Sequence, residues 1–377
     1  MKLTVGRGGD RMTENKHTAY DLKQMQSLPL EAKIIMTQQR IRQWYDHWEG
    51  QVYVSFSGGK DSTVLKHIVD NTPGVYDVPA VFVNTGLEYP EIQRFVKDVK
   101  AGKWDCFNSD VEILRPEMRF DEVIKKYGYP AISKEVSQQV YEACNSAKLH
   151  GIDVRESRPY YRKFNPDSEY CKKYPSYCLQ KWDYIFDAPF SISHMCCKVM
   201  KKQPSYNYEK ETGRKPIVGT LASESRLRKT QWIRNGCNAF EGDRQRSAPI
   251  SFWTEQDVLH YIKKFNIPYC PVYGDIVADI ASDDYMEGQI NLIDYLGCYE
   301  PEDKLKTTGC DRTGCIFCMF GVHLDKGENS FQRLKKTHPR QYEYCIGGGE
   351  MVDGKWQPNK EGLGLGHVLD YIGVKYD

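Results

Sequence analysis

The sequence has no apolar run approaching the ~18 residues a membrane span requires, and its N-terminal "MKLTVGRGGDRMTENKHTAY" has no apolar centre of the kind that marks a signal peptide. A formal net charge of +1 provides no global field to draw the chain to nucleic acid or to a membrane surface. There is no internal repeat and no low-complexity tract, which excludes solenoids and linker-rich assemblies. These absences make a cytoplasmic protein with no membrane partner the expectation. Apolar content of 40% and charged content of 27% are those of a folded chain.

Cysteine, by contrast, is plentiful. Thirteen cysteines without an export signal point to metal or redox thiols before a disulfide framework. They are unevenly spread, with Cys196 and Cys197 adjacent and Cys310, Cys315 and Cys318 crowded together.

Apolar periodicity organises the rest. Residues 1–28 are polar and read as a loose arm. "LEAKIIMTQQRIRQWYDHW" has helical spacing, and from residue 52 short apolar strands alternate with helices: "QVYVSF", "VPAVFVNT" and "VEILRP", each followed by a helical stretch. Such alternation predicts an α/β fold, a doubly wound and mostly parallel sheet. An aromatic and basic stretch at about 150–190 interrupts it as an insertion or lid. The strands "KPIVGTL" and "SAPISFW" and the helix "TEQDVLHYIKKFN" resume it. The expected organisation is therefore a nucleotide-binding α/β domain over 29–270 and an irregular, cysteine-bearing segment over 271–377, closed by a helix near "GHVLDYIG".

The most informative stretch is "VYVSFSGGKDSTVLKHIV" (52–69). Gly58 and Gly59 permit backbone angles closed to other residues, so successive N–H groups can converge on an anion at a helix start. Ser57, Ser62 and Thr63 add hydroxyls, and Lys60 adds a full charge. Asp61 suits a bare phosphate poorly unless it caps the helix or holds magnesium. The alternative is an ordinary Gly-Gly turn. The spacing is not that of G-x-x-x-x-G-K-[ST].

"SFSGGKDS" resembles the pyrophosphate-binding loop of the PP-loop superfamily, whose fold is adenine nucleotide alpha hydrolase-like, or Rossmann-like. "FVNTGLEYPEI" is similar to the second-strand loop of the phosphoadenosine phosphosulfate (PAPS) reductase family. "GTLASESRLR" is similar to its later strand-end motif, and "SFWTEQDVLHYIKKFNIPYCPVY" to its tryptophan–aspartate helix. The resemblance implies an adenine nucleotide partner, ATP with Mg2+, contacted by Ser55, Ser57, Gly58, Gly59, Lys60, Asp61 and Ser62. Asn84, Thr85, Gly86, Gly219, Arg226 and Arg228 would complete that site. Lys60, Asp61, Arg226 and Lys201 are the expected catalytic residues.

"MCCKVMKKQP" (195–204) and "TGCIFCMFG" (313–321) resemble the cysteine segments of iron–sulfur sulfonucleotide reductases. By that resemblance Cys196, Cys197, Cys315 and Cys318 hold one 4Fe-4S cluster, with Lys198, Lys201 and Lys202 offsetting its charge. Zinc on the same thiolates, or buried cysteines with no ligand, are the alternatives, and Cys310 or Cys298 could replace one ligand. Cys171 and Cys178 are incidental thiols or a sulfur relay. Cys345 is an ordinary tail cysteine in preference to a mobile catalytic thiol.

The family's reductases have degenerate loops and a C-terminal Glu-Cys-Gly-[Leu/Ile]-His nucleophile. Here the loop is intact and the stretch "HVLDYIGVKYD" lacks that motif. The expectation is an ATP pyrophosphatase that adenylates an acceptor, coupled to iron–sulfur-dependent sulfur transfer. Sulfonucleotide reduction and a nucleotide-binding regulator without turnover are the alternatives. The acceptor is a small molecule or a nucleic acid, with a sulfur donor protein or thiol reductant as further partner. For nucleic acid speak twelve Lys/Arg against five Asp/Glu over residues 198–246, interleaved with Tyr206, Tyr208 and Trp232. "RESRPYYRKF" gives a similar signal, and charges that serve ATP and the cluster, or are merely solvated, explain both equally.

Overall fold

The computed structural model describes residues 15–242, 244–279, 304–325 and 327–377. Residues 1–14 of the expected arm, and Cys298, lie outside the described residues. The chain folds into two compact units that interleave along the sequence: one comprises residues 1–82, 90–113 and 209–312, the other 83–89, 114–208 and 313–377. The expected organisation ran as consecutive segments. Among the described residues no helix is long and apolar enough to cross a membrane.

The first unit is built on a six-stranded sheet in the order β3-β2-β1-β4-β6-β5. Its strands are Val52–Ser55 (β1), Ala80–Val83 (β2), Val111–Leu114 (β3), Lys215–Val218 (β4), Asn238–Ala239 (β5) and Arg246–Ser247 (β6). Pairing is parallel at β1–β2, β1–β4 and β4–β6, and antiparallel at β5–β6. Val54 stands in register between Ala80 and Ile217, and all three side chains are fully buried. A parallel strand covered on both faces reads as a continuous apolar run, which is why β1 and β2 are legible in the sequence.

The helices Leu30–His47, Lys60–Asp70, Pro90–Lys100 and Glu255–Lys264 fall where periodicity puts them. A buried ion pair, Lys33 Nζ to Asp257 at 2.7 Å, ties the first of these to the last. Two expectations need correction. The polar arm contains a helix, Ala19–Gln26, started by a Thr18 capping box that satisfies its first N–H groups. Of "SAPISFW" only Ser247 is in a strand, the short Arg246–Ser247, because Pro249 has no N–H to continue the ladder. Ile250, Phe252 and Trp253 are nonetheless fully buried.

The second unit is largely helical. Phe120–Tyr127 and Lys134–His150 are joined by Ser330–Thr337, Pro339–Ile346 and Leu365–Tyr371, so the 313–377 stretch is more regular than its sequence predicts. The insertion is helical in part. It forms the helices Arg158–Phe164 and Glu169–Lys173, with Phe186 packed against Phe164 at 4.9 Å between ring centres. It is also tied to the C-terminal stretch through Tyr371 Oη, which donates to the Tyr184 carbonyl at 3.0 Å.

Candidate functional site

The strand order doubles back at β1, which has β2 on one side and β4 on the other. Open α/β sheets bind ligands at such a switch, beyond the carboxyl ends of the strands. The glycine loop lies there. Gly58 has φ +71, and a Cβ built on it would meet Val96 Cγ2 at 2.9 Å and Ile92 Cγ2 at 3.0 Å. Glycine is therefore required at 58 twice over. Gly59 departs from expectation: it is the N-cap of the Lys60–Asp70 helix in ordinary extended geometry, φ −77. Gly219 is the other constrained glycine, since its Cβ would lie 3.1 Å from both the Asp61 carbonyl oxygen and Ser62 Cα. It lets the chain leaving β4 rest directly on the first turn of that helix.

The loop's polar groups are engaged within the unit. The Ser57 N–H donates to Ser62 Oγ at 3.2 Å, Gly59 N–H to Ser57 Oγ at 3.4 Å, and Lys60 N–H to Tyr273 Oη at 3.1 Å. Ser62 and Thr63 hydroxyls donate to the Gly59 carbonyl at 2.9 and 3.0 Å, so they brace the first helical turn and do not point outward as donors. Ser55 closes β1, half-buried. Lys60 is buried, its Nζ 2.7 Å from the Asp311 carbonyl and 2.9 Å from Glu255 Oε1.

Asp61 is different. Its Oδ1 is shielded from solvent and has no hydrogen-bond partner. Burial raises its pKa, aided by Glu255 and opposed by Lys60, Arg312 and Arg228. Glu224 pairs with both Arg228 and Arg312. Arg228 and Arg246 line an adjoining cavity of about 30 Å3 with Gln231, Trp232 and Ser251. Burial lowers the pKa of both guanidinium groups. Two desolvated cations thus border this space. Arg226 is exposed and takes no part in the lining.

The second site lies in the other unit. Cys196, Cys197, Cys315 and Cys318 line one small cavity of about 20 Å3, with Met200, Lys201, Leu87, Phe120 and Phe317. The helix carrying the first pair runs through Met195–Cys197, a π-helical stretch Lys198–Lys202, and Gln203–Thr212. Such π-turns recur at functional sites. Cys196 Sγ donates to Cys197 Sγ at 3.9 Å. That bond, with Lys134, Lys201 and Lys202, outweighs burial and takes the Cys197 thiol down to about 6. Burial pushes Cys318 up to about 11.

Lys201 carries a link that the sequence does not advertise. Thr85 N–H and Oγ1 donate to the two carboxylate oxygens of buried Glu88, at 3.0 and 2.7 Å. Glu88 Oε1 lies 3.7 Å from Lys201 Nζ. Burial alone would lower the Lys201 pKa, but Cys315, Glu88 and Cys197 raise it. Asn84 Oδ1 accepts from Gly86 N–H at 3.1 Å and shapes the same turn. Lys198 lines a separate cleft and not the thiol cavity.

Four thiols around one space meet the four-thiolate requirement of a cubane. Among the described residues no three Cys, His, Asp or Glu side chains are placed to hold a single metal ion. Cys310 belongs to the first unit, where its N–H donates to the Val272 carbonyl at 3.0 Å. Cys345 is fully buried with its thiol pKa raised by that burial, as befits a core cysteine. Burial raises the Cys171 thiol pKa, and a hydrogen bond with the Cys178 thiol adds to the rise. Trp232 and Tyr208 are buried, so neither offers a stacking face. Glu88, Glu224, Glu255, Tyr273 and Arg312 are missed by sequence reasoning, because each acts through a partner distant in the chain.

Residues 51–156 and 169–319 match the family model described as "Phosphoadenosine phosphosulfate reductase domain". The chain belongs to this family. It is 22% identical over 232 residues to an adenosine 5′-phosphosulfate reductase of Bacillus cereus, covering 61% of this chain and 70% of that protein. Two uncharacterized proteins of Methanocaldococcus jannaschii are 23% and 28% identical over 80% and 81% of this chain. The chain spans 42% and 50% of the length of those two relatives. A PAPS reductase from Candida auris, solved with phosphate, covers 76% of this chain and 95% of its own at 14% identity and a TM-score of 0.36.

Proposed function

We propose that this PAPS reductase-family chain is an ATP pyrophosphatase that adenylates an acceptor, coupled to iron–sulfur-dependent sulfur transfer. The observation that carries the reading is Asp61 Oδ1, buried without a hydrogen-bond partner at the mouth of a glycine loop. A carboxylate left in that condition is costly unless a cation meets it. Magnesium held there would neutralise charge on the β- and γ-phosphates.

The chain's own groups then divide the work. Loop N–H groups now bonded to hydroxyls exchange those partners for phosphate oxygens, and Lys60 shifts from Glu255 toward the same charge. Gly219 brings the β4 end within reach, with Arg228 and Arg246 as partners for a further oxyanion. An acceptor oxygen attacks the α-phosphorus, the bond from that phosphorus to the bridging oxygen breaks, and pyrophosphate departs with the electron pair. A cluster on Cys196, Cys197, Cys315 and Cys318 would supply the redox or sulfur chemistry, with a thiol reductant or sulfur donor protein as partner. Lys201, anchored by Glu88, is the cation that faces those thiols.

The test is pyrophosphate release from labelled ATP by anaerobically purified protein. Release that collapses in Lys60→Ala supports the reading; ATP binding without release under any acceptor favours a nucleotide-sensing regulator. A second reading, sulfonucleotide reduction, draws on the Bacillus cereus relative and on the arginine-lined cavity, whose size suits a single oxyanion. Sulfite formed from PAPS or adenosine phosphosulfate would establish it in place of the first.

A further inference from the structure

The helix that carries Cys196 and Cys197 has a second functional face. Cys196, Cys197, Met200 and Lys201 look into the thiol cavity, whereas Met195, Lys198, Val199, Gln203 and Asn207 line a separate cleft of about 330 Å3. The π-helical stretch Lys198–Lys202 spans the change of face. Across the cleft stand Arg115, Glu117, Lys126 and Tyr127.

Its size falls in the range of pockets that take small organic ligands. Among the described residues, Arg115, Lys126 and Lys198 enter no ion pair, so three cations border one concavity that holds a single carboxylate. The single carboxylate, Glu117, accepts from Asn207 Nδ2 at 3.5 Å and retains acceptor capacity. A cation trio suits a phosphate, a lone carboxylate suits the hydroxyls of a ribose, and the Gln203 amide can pair with the edge of a base. We propose that this cleft is a second nucleotide site, which binds a nucleoside monophosphate unit independently of the glycine loop. Occupancy there would bear on the helix whose opposite face presents the thiols. The shared chemistry is a 5′-phosphorylated ribonucleoside, either free or at the end of a single strand.

The full chain, purified anaerobically, is titrated calorimetrically with uridine 5′-monophosphate while magnesium and a non-hydrolysable ATP analogue saturate the glycine loop. One molecule should bind per chain. The double variant Arg115→Glu, Lys126→Glu should weaken it more than ~10-fold while analogue binding is kept. Uridine, lacking the phosphate, should bind more weakly than its monophosphate. No binding to the unsubstituted protein, or equal binding to the variant, overturns the proposal. Loss of analogue binding alone counts against the pyrophosphatase reading and leaves this comparison intact.

A footprint on the unsubstituted protein avoids dependence on the variant's folding. Uridine monophosphate should shield Lys126 and Lys198 from acetylation while exposed Lys125 stays reactive. Equal acetylation of all three with and without nucleotide overturns the proposal. A 5′-phosphorylated tetranucleotide that displaces the monophosphate assigns the cleft to a strand end, and one that fails to displace it assigns the cleft to free nucleotides; both results uphold the site.

Discussion

The Lys60 ammonium and the Glu255 carboxylate meet at 2.9 Å, although the first is buried and the second more than half exposed. A cation expected to serve a phosphate is thus held in place by a side chain from the Glu255–Lys264 helix. Glu255→Gln should therefore free Lys60 and tighten binding of a non-hydrolysable ATP analogue several-fold. Lys60→Ala should weaken it by about 100-fold, the loss of a buried charge-assisted contact of roughly 3 kcal/mol. Calorimetry on the two variants decides; weaker binding in Glu255→Gln would show that the pair itself shapes the site.

Asp61 sets function against stability. Its pKa is raised by burial, so the folded protein favours the protonated form, and ionisation above the raised value costs stability. Asp61→Asn should melt at a higher temperature than the unsubstituted protein at neutral pH. The gap should close as pH falls through the carboxylate range, where both side chains are neutral. The same variant should lose magnesium-dependent nucleotide binding. A melting-temperature difference that does not change with pH would refute this account of Asp61.

Gly58 tests the loop's backbone. Ala at 58 would carry a Cβ at positive φ, 2.9 Å from Val96 Cγ2. Together these should destabilise the first unit by about 2 kcal/mol or more and abolish analogue binding. Urea unfolding and calorimetry measure the two effects. Gly59→Ala, at an ordinary backbone geometry, should be milder in stability.

How much of this was readable beforehand depends on the range of the signal. Strands β1 and β2 announce themselves because both faces are covered, and Gly58 because a left-handed residue at a strand-to-helix turn has few alternatives. The four thiols pair by local spacing within each segment. Glu88 and Glu255 escape notice: each is one acid among many in the sequence, and only the fold brings Lys201 and Lys60 to them. The β6 strand is overextended by apolar pattern alone, because Pro249 interrupts hydrogen bonding without interrupting burial. Thr18 and Asp21 form a capping box that a polar composition hides.

Glu88 provides a test within the second unit. Glu88→Ala leaves two Thr85 donors without their acceptor in a buried turn. The expected cost is about 1–3 kcal/mol by urea unfolding. Glu88→Gln retains part of the bonding and should cost less, while still removing the charge opposite Lys201. Equal stabilities for both variants would contradict the assigned bonding.

Cysteine reactivity separates the thiols. In metal-free protein, Cys197 should alkylate with an apparent pKa near 6, while Cys345, buried in its helix, should stay unmodified until the protein unfolds. Mass-spectrometric mapping across pH reads both. Reaction of Cys345 in the folded state would reopen its candidacy as a catalytic thiol.

The interleaving of the two units reaches beyond the sites, to biosynthesis. The chain passes between them at residues 82–83, 89–90, 113–114, 208–209 and 312–313. An emerging polypeptide therefore cannot finish the sheet-bearing unit until residue 312 has left the ribosome, nor its companion until residues 313–377 have followed. Both must wait on contacts between segments far apart in sequence, which are slow to form. During that interval the half-built parallel strands, Val52–Ser55 foremost, would expose apolar surface that a chaperone could shelter.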